Sequence, residues 1–496
     1  MNILHVAIDL GAGSGRALVG GAGADGLRLT EVHRFHYAPR PIDGHLRWDA
    51  AALTSGIQEG LARARDAAAR LGAPLASVGV DSWGVDYALV DADGALVEEP
   101  ICYRDSRTDR AMDEVFALMP RAEIFARTGI QFHQFNTLYQ LWAHVRDGLP
   151  PRAAHLLLMP DYCHHVLCGS LVSERTNAST TQLLSATTGA WDDGLFSRLG
   201  LPRRLMPTIV RAGAVLGTMR PELAGDLGLG AINVVAPGTH DTASAVAGTP
   251  LGRDWAYISS GTWSLVGVEL DGPILTTDAA RANLTNEAGV FGQVRLLTNV
   301  MGLWLLESCR REWEAEGRPQ DLATLLAAAA QHPTSAGVIY PDDRRFFAPE
   351  RMVRAIQSML AETGQADTDD PVRIAKIILD SLALRYADVV ATIERVTGHA
   401  IPGIHVVGGG SQNGYLNQAT ADASGREVLA GPVEATAIGN LLVQGIAAGT
   451  ITSLADGRRM VAAAFPTVRF VPRDTERWEA PARLYRALGS ETNLQR

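Results

Sequence analysis

The sequence predicts an α/β protein of two domains. Strand patterns alternate with helix patterns along the chain, which is typical of helices packed on a parallel or mixed sheet. At about 150 residues per domain, 496 residues correspond to between two and four domains. Each half also begins with the same plan, a strand, a turn of small residues and a second strand. We expect the boundary in the linker-like stretch AGTPLGRD, which divides the chain into residues 1–248 and 249–496.

The first half opens with HVAIDL, the glycine-rich turn GAGSG and a second strand, and LRLTEVHRFHY alternates as a third strand. An alanine- and arginine-rich segment from Asp49 to Leu71 predicts a long helix. In SVGVDSWGVDYALVDADG, two short strands flank SWG. This order of elements is the beginning of an α/β domain.

The second half repeats the plan in RDWAYISSGTWSLVGVEL, residues 253–270. Further on, RIAKIILDSLALRY has the apolar spacing of an amphipathic helix, and IHVVGGGSQNGYLNQ predicts a buried strand whose glycine run opens a helix. The likeness of the two halves is one of fold, since no repeat of fixed period is present.

Composition limits the function classes. Hydrophobic residues make up 47% and charged residues 20% of the chain, an ordinary globular composition. The formal net charge of −10 argues against binding to nucleic acid or to anionic membranes. The start, MNILHVAIDL, lacks the basic region of a signal peptide. We therefore expect a soluble cytoplasmic protein without nucleic-acid or membrane partners, and the sequence leaves its oligomeric state open.

Cysteine and lysine usage narrows the chemistry. The four cysteines form no CxxC pair. The cluster of Cys163, His164, His165 and Cys168 has a spacing that fits no structural zinc site, and we interpret it as part of a half-buried helix that follows a strand. Lys376 is the only lysine, so the chain has no P-loop. Any phosphate must therefore be held by backbone amides, arginine and a metal.

Three turns are candidates for holding phosphate or nucleotide. Residues 11–16, GAGSGR, can turn successive N–H groups towards an anion, and Asp9 at the end of the preceding strand is a candidate magnesium ligand. SSGTWS supplies Gly261, Thr262 and Ser264, and the third turn is residues 408–410. The alternative for each turn is a plain glycine hairpin or loop, because such turns are common.

The stretch GTHDTASAV, residues 238–246, carries His240 and Asp241 among small residues near the expected domain boundary. One interpretation is helix capping by Asp241 or Thr239 at the start of TASAVAG. The other is that Asp241 is a general base on a surface that another molecule must approach closely. The position near a domain junction favours the base, since ligand sites concentrate there.

With these motifs the chain resembles the FGGY carbohydrate kinases, a family of the actin-like ATPase fold. The resemblance covers nearly the whole chain and rests on long motifs in the right order: DLGAGSGR, GVDSWGVDYALVD, YRDSRT, QFNTLYQL, MPDYCHHVLCG, TNASTTQLL, GTHDTASAV, YISSGTWSLVG, NVMGLWLLE, VVGGGSQNGYLNQATAD and AGPVEATAIGN. It implies two actin-like ATPase (ribonuclease H-like) domains, a sugar-binding lobe at 1–248 and a nucleotide-binding lobe at 249–496, with a nucleotide cleft between them.

The resemblance also implies roles for particular residues. Asp241 matches the family's catalytic base. Substrate contacts are implied for Gly84, His240, Asp241, Thr242 and Asn299, and contacts to ATP for Ala12, Gly13, Ser14, Gly15, Arg16, Thr262, Glu307 and Gly409. With Mg²⁺ held by Asp9, these residues would support in-line transfer of the γ-phosphoryl group of ATP to a sugar hydroxyl.

Within the family, the motifs resemble most the members that phosphorylate L-rhamnulose at its 1-hydroxyl in L-rhamnose catabolism. L-Fuculose and L-xylulose are the alternative substrates, and an actin-like phosphohydrolase is the alternative class. Trp83 is either an apolar contact for the sugar's methyl group or a core residue. Two positions depart from the pattern: Glu307 stands where glutamine is usual, and NEAG, residues 286–289, stands where NEGG is common. The family's additional cysteines are absent, so no disulfide is carried over.

Overall fold

The computed structural model describes residues 3–23, 26–332, 337–347 and 349–494. The predicted α/β class is confirmed. By contact density the chain divides into two compact units, and the first of them is discontinuous in sequence. Unit 1 comprises Met1–Pro250, Glu269–Leu296 and Ala435–Phe465, and unit 2 comprises Leu251–Val268, Leu297–Glu434 and Pro466–Arg496. The contiguous domains 1–248 and 249–496 stay a prediction.

The strands of the described chain are β1 (Leu4–Leu10), β2 (Ser14–Gly23), β3 (Gly26–His36), β4 (Arg40–Ile42), β5 (His45–Arg47), β6 (Leu75–Ser82), β7 (Tyr87–Val90), β8 (His155–Leu158), β9 (Val172–Glu174), β10 (Thr208–Val210), β11 (Val215–Thr218), β12 (Asn233–Val235), β13 (Ala256–Ser260), β14 (Ser264–Leu270), β15 (Thr285–Ala288), β16 (Val294–Val300), β17 (Gly403–Val407), β18 (Glu427–Ala430) and β19 (Val468–Phe470).

The α-helices are α1 (Ala50–Leu71), α2 (Ala111–Leu118), α3 (Arg121–Thr128), α4 (Thr137–Gly148), α5 (Met159–Cys168), α6 (Arg175–Thr180), α7 (Asp193–Leu199), α8 (Pro221–Asp226), α9 (Asp241–Ala247), α10 (Thr277–Arg281), α11 (Trp304–Ala315), α12 (Leu322–Gln331), α13 (Met352–Glu362), α14 (Pro371–Thr397), α15 (Gly414–Ser424), α16 (Ala435–Ala447), α17 (Leu454–Ala464) and α18 (Glu479–Leu494).

Unit 1 is built on a six-stranded sheet in the order β11-β12-β6-β1-β2-β3. Its first strand, β1, pairs antiparallel with β2 and parallel with β6, and β6 pairs parallel with β12. Seven residues of β1 are buried, because a central strand with parallel pairing is covered on both faces. Three two-stranded sheets, β4-β5, β7-β8 and β9-β10, accompany it.

The seven-stranded sheet, in the order β15-β16-β14-β13-β17-β18-β19, repeats this topology. β13 pairs antiparallel with β14 and parallel with β17, as β1 does with β2 and β6. β17 pairs parallel with β18, as β6 does with β12. The likeness of the two halves that the sequence indicates is therefore a likeness of strand order and direction.

The predicted helix from Asp49 to Leu71 is α1. It begins there because the Asp49 carboxylate accepts a hydrogen bond from the Ala52 N–H, and it ends at Gly72, which has a left-handed φ of 64°. Its buried face includes Leu53, Ile57 and Leu61, spaced four residues apart, and these pack in the core beneath β1 and β2. In the part of the chain that the structure describes, no helix combines the length and apolarity needed to cross a bilayer.

Two helices of unit 1 pack at unusually short range. A Cβ built on Gly439 of α16 would lie 1.8 Å from the Ser244 carbonyl oxygen of α9, and one built on Gly248 would lie 2.1 Å from the Ala435 carbonyl oxygen. Glycine at both positions lets the two backbones approach closely. This contact fixes the position of α9, the helix that begins with Asp241.

Candidate functional site

The turn between β1 and β2 is held by backbone and tyrosine contacts. The Gly11 N–H donates to the Ser14 carbonyl at 2.9 Å, and the Tyr37 hydroxyl donates to the Gly11 carbonyl. The Tyr37 N–H donates to the Gly13 carbonyl at 3.3 Å. Ala12 and Gly13 are exposed at the tip. These hydrogen bonds therefore hold the turn predicted to bind phosphate, and the tip of the turn is exposed.

The two later glycines of this turn have different reasons to be glycine. A Cβ on Gly15 would lie 2.3 Å from the Phe35 ring, so Gly15 is required by the core. A Cβ on Gly13 would meet no described atom within 4 Å beyond its chain neighbours, and Gly13 does not have a left-handed φ. Nothing inside the described protein requires Gly13, which is consistent with a ligand that approaches its backbone.

Asp9 and Arg16 face each other across the β1–β2 pair. Arg16 Nη2 donates to Asp9 Oδ2 at 2.5 Å, and Asp9 is 7% exposed. The parallel neighbour of Asp9 on β6 is Asp81, which is fully buried and accepts a hydrogen bond from Asn440 Nδ2 at 2.5 Å. Burial and the negative charge of Asp9 raise the pKa of Asp81 well above its ordinary value. The sequence analysis did not identify Asp81, although it lies in the motif GVDSWG.

Asp241 is the first residue of α9, and its two carboxylate oxygens are in different environments. Oδ1 accepts the Thr242 N–H at 2.6 Å and the Thr242 hydroxyl at 3.2 Å. Oδ2 has no partner among the described residues, and the side chain is 31% exposed. Burial and the charge of Asp9 raise the pKa of Asp241, while His240 and Thr242 oppose the rise. Thr242 thus orients the carboxylate through Oδ1, and Oδ2, which has no partner among the described residues, is the oxygen that can accept a proton.

Capping does not account for this geometry. The N-cap residue of α9 is His240, which makes no capping hydrogen bond through its side chain. The Thr239 hydroxyl donates instead to Glu174 at 2.9 Å. The capping role considered for Thr239 is therefore wrong, and Asp241 bonds only the N–H of its neighbour Thr242 among the described backbone groups.

His240 and Thr242, both predicted sugar contacts, are engaged with Asp241. His240 is 6% exposed, with Nε2 3.5 Å from Asp241 Oδ1. Its Nδ1 lies 3.0 Å from Arg295 Nη2 and 3.3 Å from Glu287 Oε2. A direct contact of either residue with sugar stays a prediction.

Glu174 fixes the segment that leads into α9. Its fully buried carboxylate accepts hydrogen bonds from the backbone N–H and hydroxyl of Thr176 and of Thr239, at 2.5 to 3.0 Å. The Thr176 hydroxyl accepts the His240 N–H at 3.1 Å. The sequence analysis missed Glu174, Glu287 and Arg295. The available signal was a charged residue inside an apolar strand pattern, as in the VRLL of β16.

Gly84 and Trp83 follow β6. A Cβ on Gly84 would lie 2.9 Å from the Thr180 hydroxyl, so packing against α6 already requires this glycine. Trp83 is 7% exposed and its ring centroid lies 4.6 Å from that of Trp48. Its indole N–H donates to Asp86 at 3.0 Å. Of the two interpretations of Trp83, the structure supports the core residue.

Unit 2 holds the remaining predicted ligand contacts. Thr262 is exposed in the turn between β13 and β14. Gly409 is exposed, and a Cβ on it would meet no described atom within 4 Å, whereas one on Gly410 would lie 2.0 Å from the Ser260 hydroxyl. Glu307 lies in the first turn of α11 with its carboxylate 2.7 Å from Arg310. Asn299 is half-buried on β16. These roles stay predictions.

The zinc-like cluster is part of α5 and its end. Cys163 and His164 are buried, and His164 Nε2 accepts the Val80 N–H at 3.0 Å. Burial lowers the pKa of His164 to about 3. The cluster therefore packs α5 against β6. The expected helix after a strand is present, but it is buried over most of its length rather than half-buried.

The chain matches the FGGY family of carbohydrate kinases twice. Residues 4–248 match the N-terminal domain of the family and residues 256–448 its C-terminal domain. It is 46% identical to a rhamnulokinase of Pectobacterium carotovorum over 97% of this chain and 96% of that protein. It is 41% identical to a rhamnulokinase of Bacteroides thetaiotaomicron over 96% and 97%, and 40% identical to one of Bacillus subtilis over 96% of each. The resemblance stated from the motifs is confirmed.

Solved structures show the same fold. A xylulose kinase from Lactobacillus acidophilus superposes with a TM-score of 0.81 over 99% of this chain and 98% of that one, at 15% identity. A xylulose kinase from Rhodospirillum rubrum gives a TM-score of 0.76 over 98% of each, at 20% identity. The predicted two-domain kinase fold is confirmed, and identities this low show the fold alone.

Proposed function

The chain belongs to the FGGY family of carbohydrate kinases, and we propose that it transfers the γ-phosphoryl group of ATP to the 1-hydroxyl of L-rhamnulose, giving L-rhamnulose 1-phosphate. The observation that carries the proposal is the Oδ2 of Asp241, which has no partner among the described residues on a side chain 31% exposed, in a chain 46% identical to a rhamnulokinase. Asp241 is the general base.

The proton transfer follows from the geometry of Asp241. An alcohol becomes a competent nucleophile when its proton is accepted as the bond to phosphorus forms. Thr242 and His240 orient Oδ1, so Oδ2 accepts the proton from the sugar hydroxyl. Ala243, Ser244 and Ala245 behind it are small, which lets α9 lie close to α16 and keeps bulky side chains away from the base.

The phosphates and the nucleotide are bound by backbone-rich turns. In unit 1, residues 12–16 bind phosphate through N–H groups at the open tip of the β1–β2 turn. In unit 2, Thr262 and Gly409 contact the nucleotide with groups that the structure leaves exposed. Glu307 replaces an amide contact with a carboxylate, and Arg310 at 2.7 Å offsets its charge.

Asp9 fits a magnesium site of the kind used in phosphoryl transfer. Such sites take one or two carboxylates from the protein and complete the coordination with water and phosphate oxygens. Asp9 is a carboxylate at the end of β1, directly before the phosphate turn. Bound Mg²⁺ would neutralise phosphate charge, and Arg16 beside Asp9 balances the carboxylate.

A coupled assay of ADP release tests the substrate. We expect kcat/KM to be highest for L-rhamnulose in a panel with L-fuculose, L-xylulose and glycerol. A higher value for any other member of the panel would reject the sugar and leave the kinase class standing. ADP release that is independent of sugar would instead indicate a phosphohydrolase.

The nucleotide contacts are tested separately. Thr262→Val removes a hydroxyl and Gly409→Ala adds a methyl group to an open position, so both should raise the KM for ATP. The KM for the sugar should stay within about twofold, because neither residue is among the predicted sugar contacts. A KM for ATP that is unchanged in both variants would contradict the assignment.

A further inference from the structure

Arg295 is a fully buried arginine beside the proposed base. Its side chain is 0% exposed, and Nη2 lies 3.1 Å from Glu287 Oε2 while Nε donates to the Ala288 carbonyl at 3.1 Å. Nη2 also lies 3.0 Å from Nδ1 of His240. A buried charge is costly unless it is paired, and Glu287 provides the pair. The contact with His240 is the part of this network that reaches Asp241.

The chemistry of arginine determines which nitrogen of His240 carries the hydrogen. A guanidinium has donors only, so Nη2 at 3.0 Å from Nδ1 calls for a lone pair on Nδ1. The hydrogen of the neutral ring is then on Nε2, 3.5 Å from Asp241 Oδ1. Glu287 favours the opposite tautomer, since its Oε2 lies 3.3 Å from Nδ1. The contact with Arg295 is shorter, and an Nδ1–H would point at another donor.

We propose that Arg295 is a positioning residue that holds His240 in its Nε2–H tautomer, so that the imidazole presents a hydrogen to Asp241 Oδ1. The proposal rests on the proposed function in taking Asp241 as the base. A lone pair on Nε2 would repel the carboxylate. With the hydrogen there, Oδ1 stays turned towards His240 and Thr242, and Oδ2 stays free for the proton.

The tautomer is measurable in the ligand-free protein. NMR of ¹⁵N-histidine-labelled protein distinguishes protonated from unprotonated ring nitrogens, and the signals of His240 among 13 histidines are identified by their loss in His240→Gln. We expect an unprotonated Nδ1 and a protonated Nε2 at neutral pH. A protonated Nδ1, in a neutral ring or an imidazolium, would overturn the proposal.

Arg295→Met tests the cause. Without the arginine, the Glu287 carboxylate is left facing Nδ1, so we expect the hydrogen to move to Nδ1. The kcat should fall about 10-fold, because a lone pair on Nε2 would then face Asp241 Oδ1 at 3.5 Å in place of a hydrogen, and the KM for ATP should be unchanged. Arg47→Met is the matched control, because Arg47 is also buried and lies 2.9 Å from Glu98 in the same unit. The control should keep the Nε2–H signal.

A tautomer that stays Nε2–H in Arg295→Met overturns the proposal. If that variant does not fold because Glu287 loses the Arg295 guanidinium, the wild-type spectrum alone decides, since a protonated Nδ1 there overturns the proposal. Failure of every sugar as acceptor would reject the proposed function without changing the wild-type spectrum, so the two failures are distinguishable.

Discussion

Asp241→Asn isolates the proton-accepting oxygen. An asparagine keeps an oxygen for the two Thr242 contacts at 2.6 and 3.2 Å and places an NH₂ group where Oδ2 has no described partner. The folded state also loses a carboxylate whose pKa burial and Asp9 have raised. A carboxyl with a raised pKa opposes folding once the pH exceeds its unfolded value, so the substitution should leave Tm at pH 7.5 unchanged or higher.

The effect on turnover should be large. A general base contributes a factor on the order of 10² to 10⁴, or about 2.7 to 5.4 kcal/mol at about 1.36 kcal/mol per decade. His240 is the adjacent group able to accept a proton, but its Nδ1 lone pair is already directed at Arg295 Nη2, 3.0 Å away. We therefore expect no substitute base and a fall in kcat closer to 10⁴.

The assay is ADP release with saturating sugar and ATP, beside a thermal melt and ATP binding by calorimetry. Asp278→Asn is the matched control, because Asp278 also lies in the first turn of a helix in unit 1 but its side chain is 76% exposed. It should retain the wild-type kcat. A folded Asp241→Asn protein that keeps kcat within threefold of wild type would refute the role of Asp241 as base.

Three further changes have defined outcomes. Gly13→Ala should raise the KM for ATP without lowering Tm. The control Gly230→Ala, at a position where an added Cβ also meets no described atom within 4 Å, should change neither value. A wild-type KM for ATP in Gly13→Ala would contradict a phosphate bound at that turn. Gly439→Ala should lower the free energy of unfolding by about 1–3 kcal/mol, because its methyl group would lie 1.8 Å from a carbonyl oxygen of α9. The control Gly225→Ala in α8 should leave the free energy of unfolding unchanged, and an equal Tm for both variants would be evidence against the close packing. The value of kcat/KM should fall at acid pH as Asp241 becomes protonated. Because the pKa of Asp241 is raised, this fall should occur at a higher pH than the pKa of an ordinary aspartate. A fall centred at the ordinary aspartate pKa would contradict the raised pKa.

Much of the fold follows from local sequence. Period-two alternation and central apolar runs predict β1 to β3 and β13, and the alanine- and arginine-rich segment from Asp49 to Leu71 predicts α1. These patterns depend only on residues that are close together in the chain, so they can be recognised without the structure. The family motifs then identify the kinase, and Asp241 is recognised because the motif around it is long and specific.

Other features depend on residues far apart in the chain. Glu174 meets Thr239 across 65 positions, and Arg295 meets His240 across 55. No local pattern encodes these contacts, because they form only when β9, β16 and α9 are brought together. Local motifs therefore indicate the fold class and the family, and they predict Asp241 as the base. The environment of His240, beside the predicted base, is likewise set by folding, because its partners Glu287 and Arg295 lie on β15 and β16.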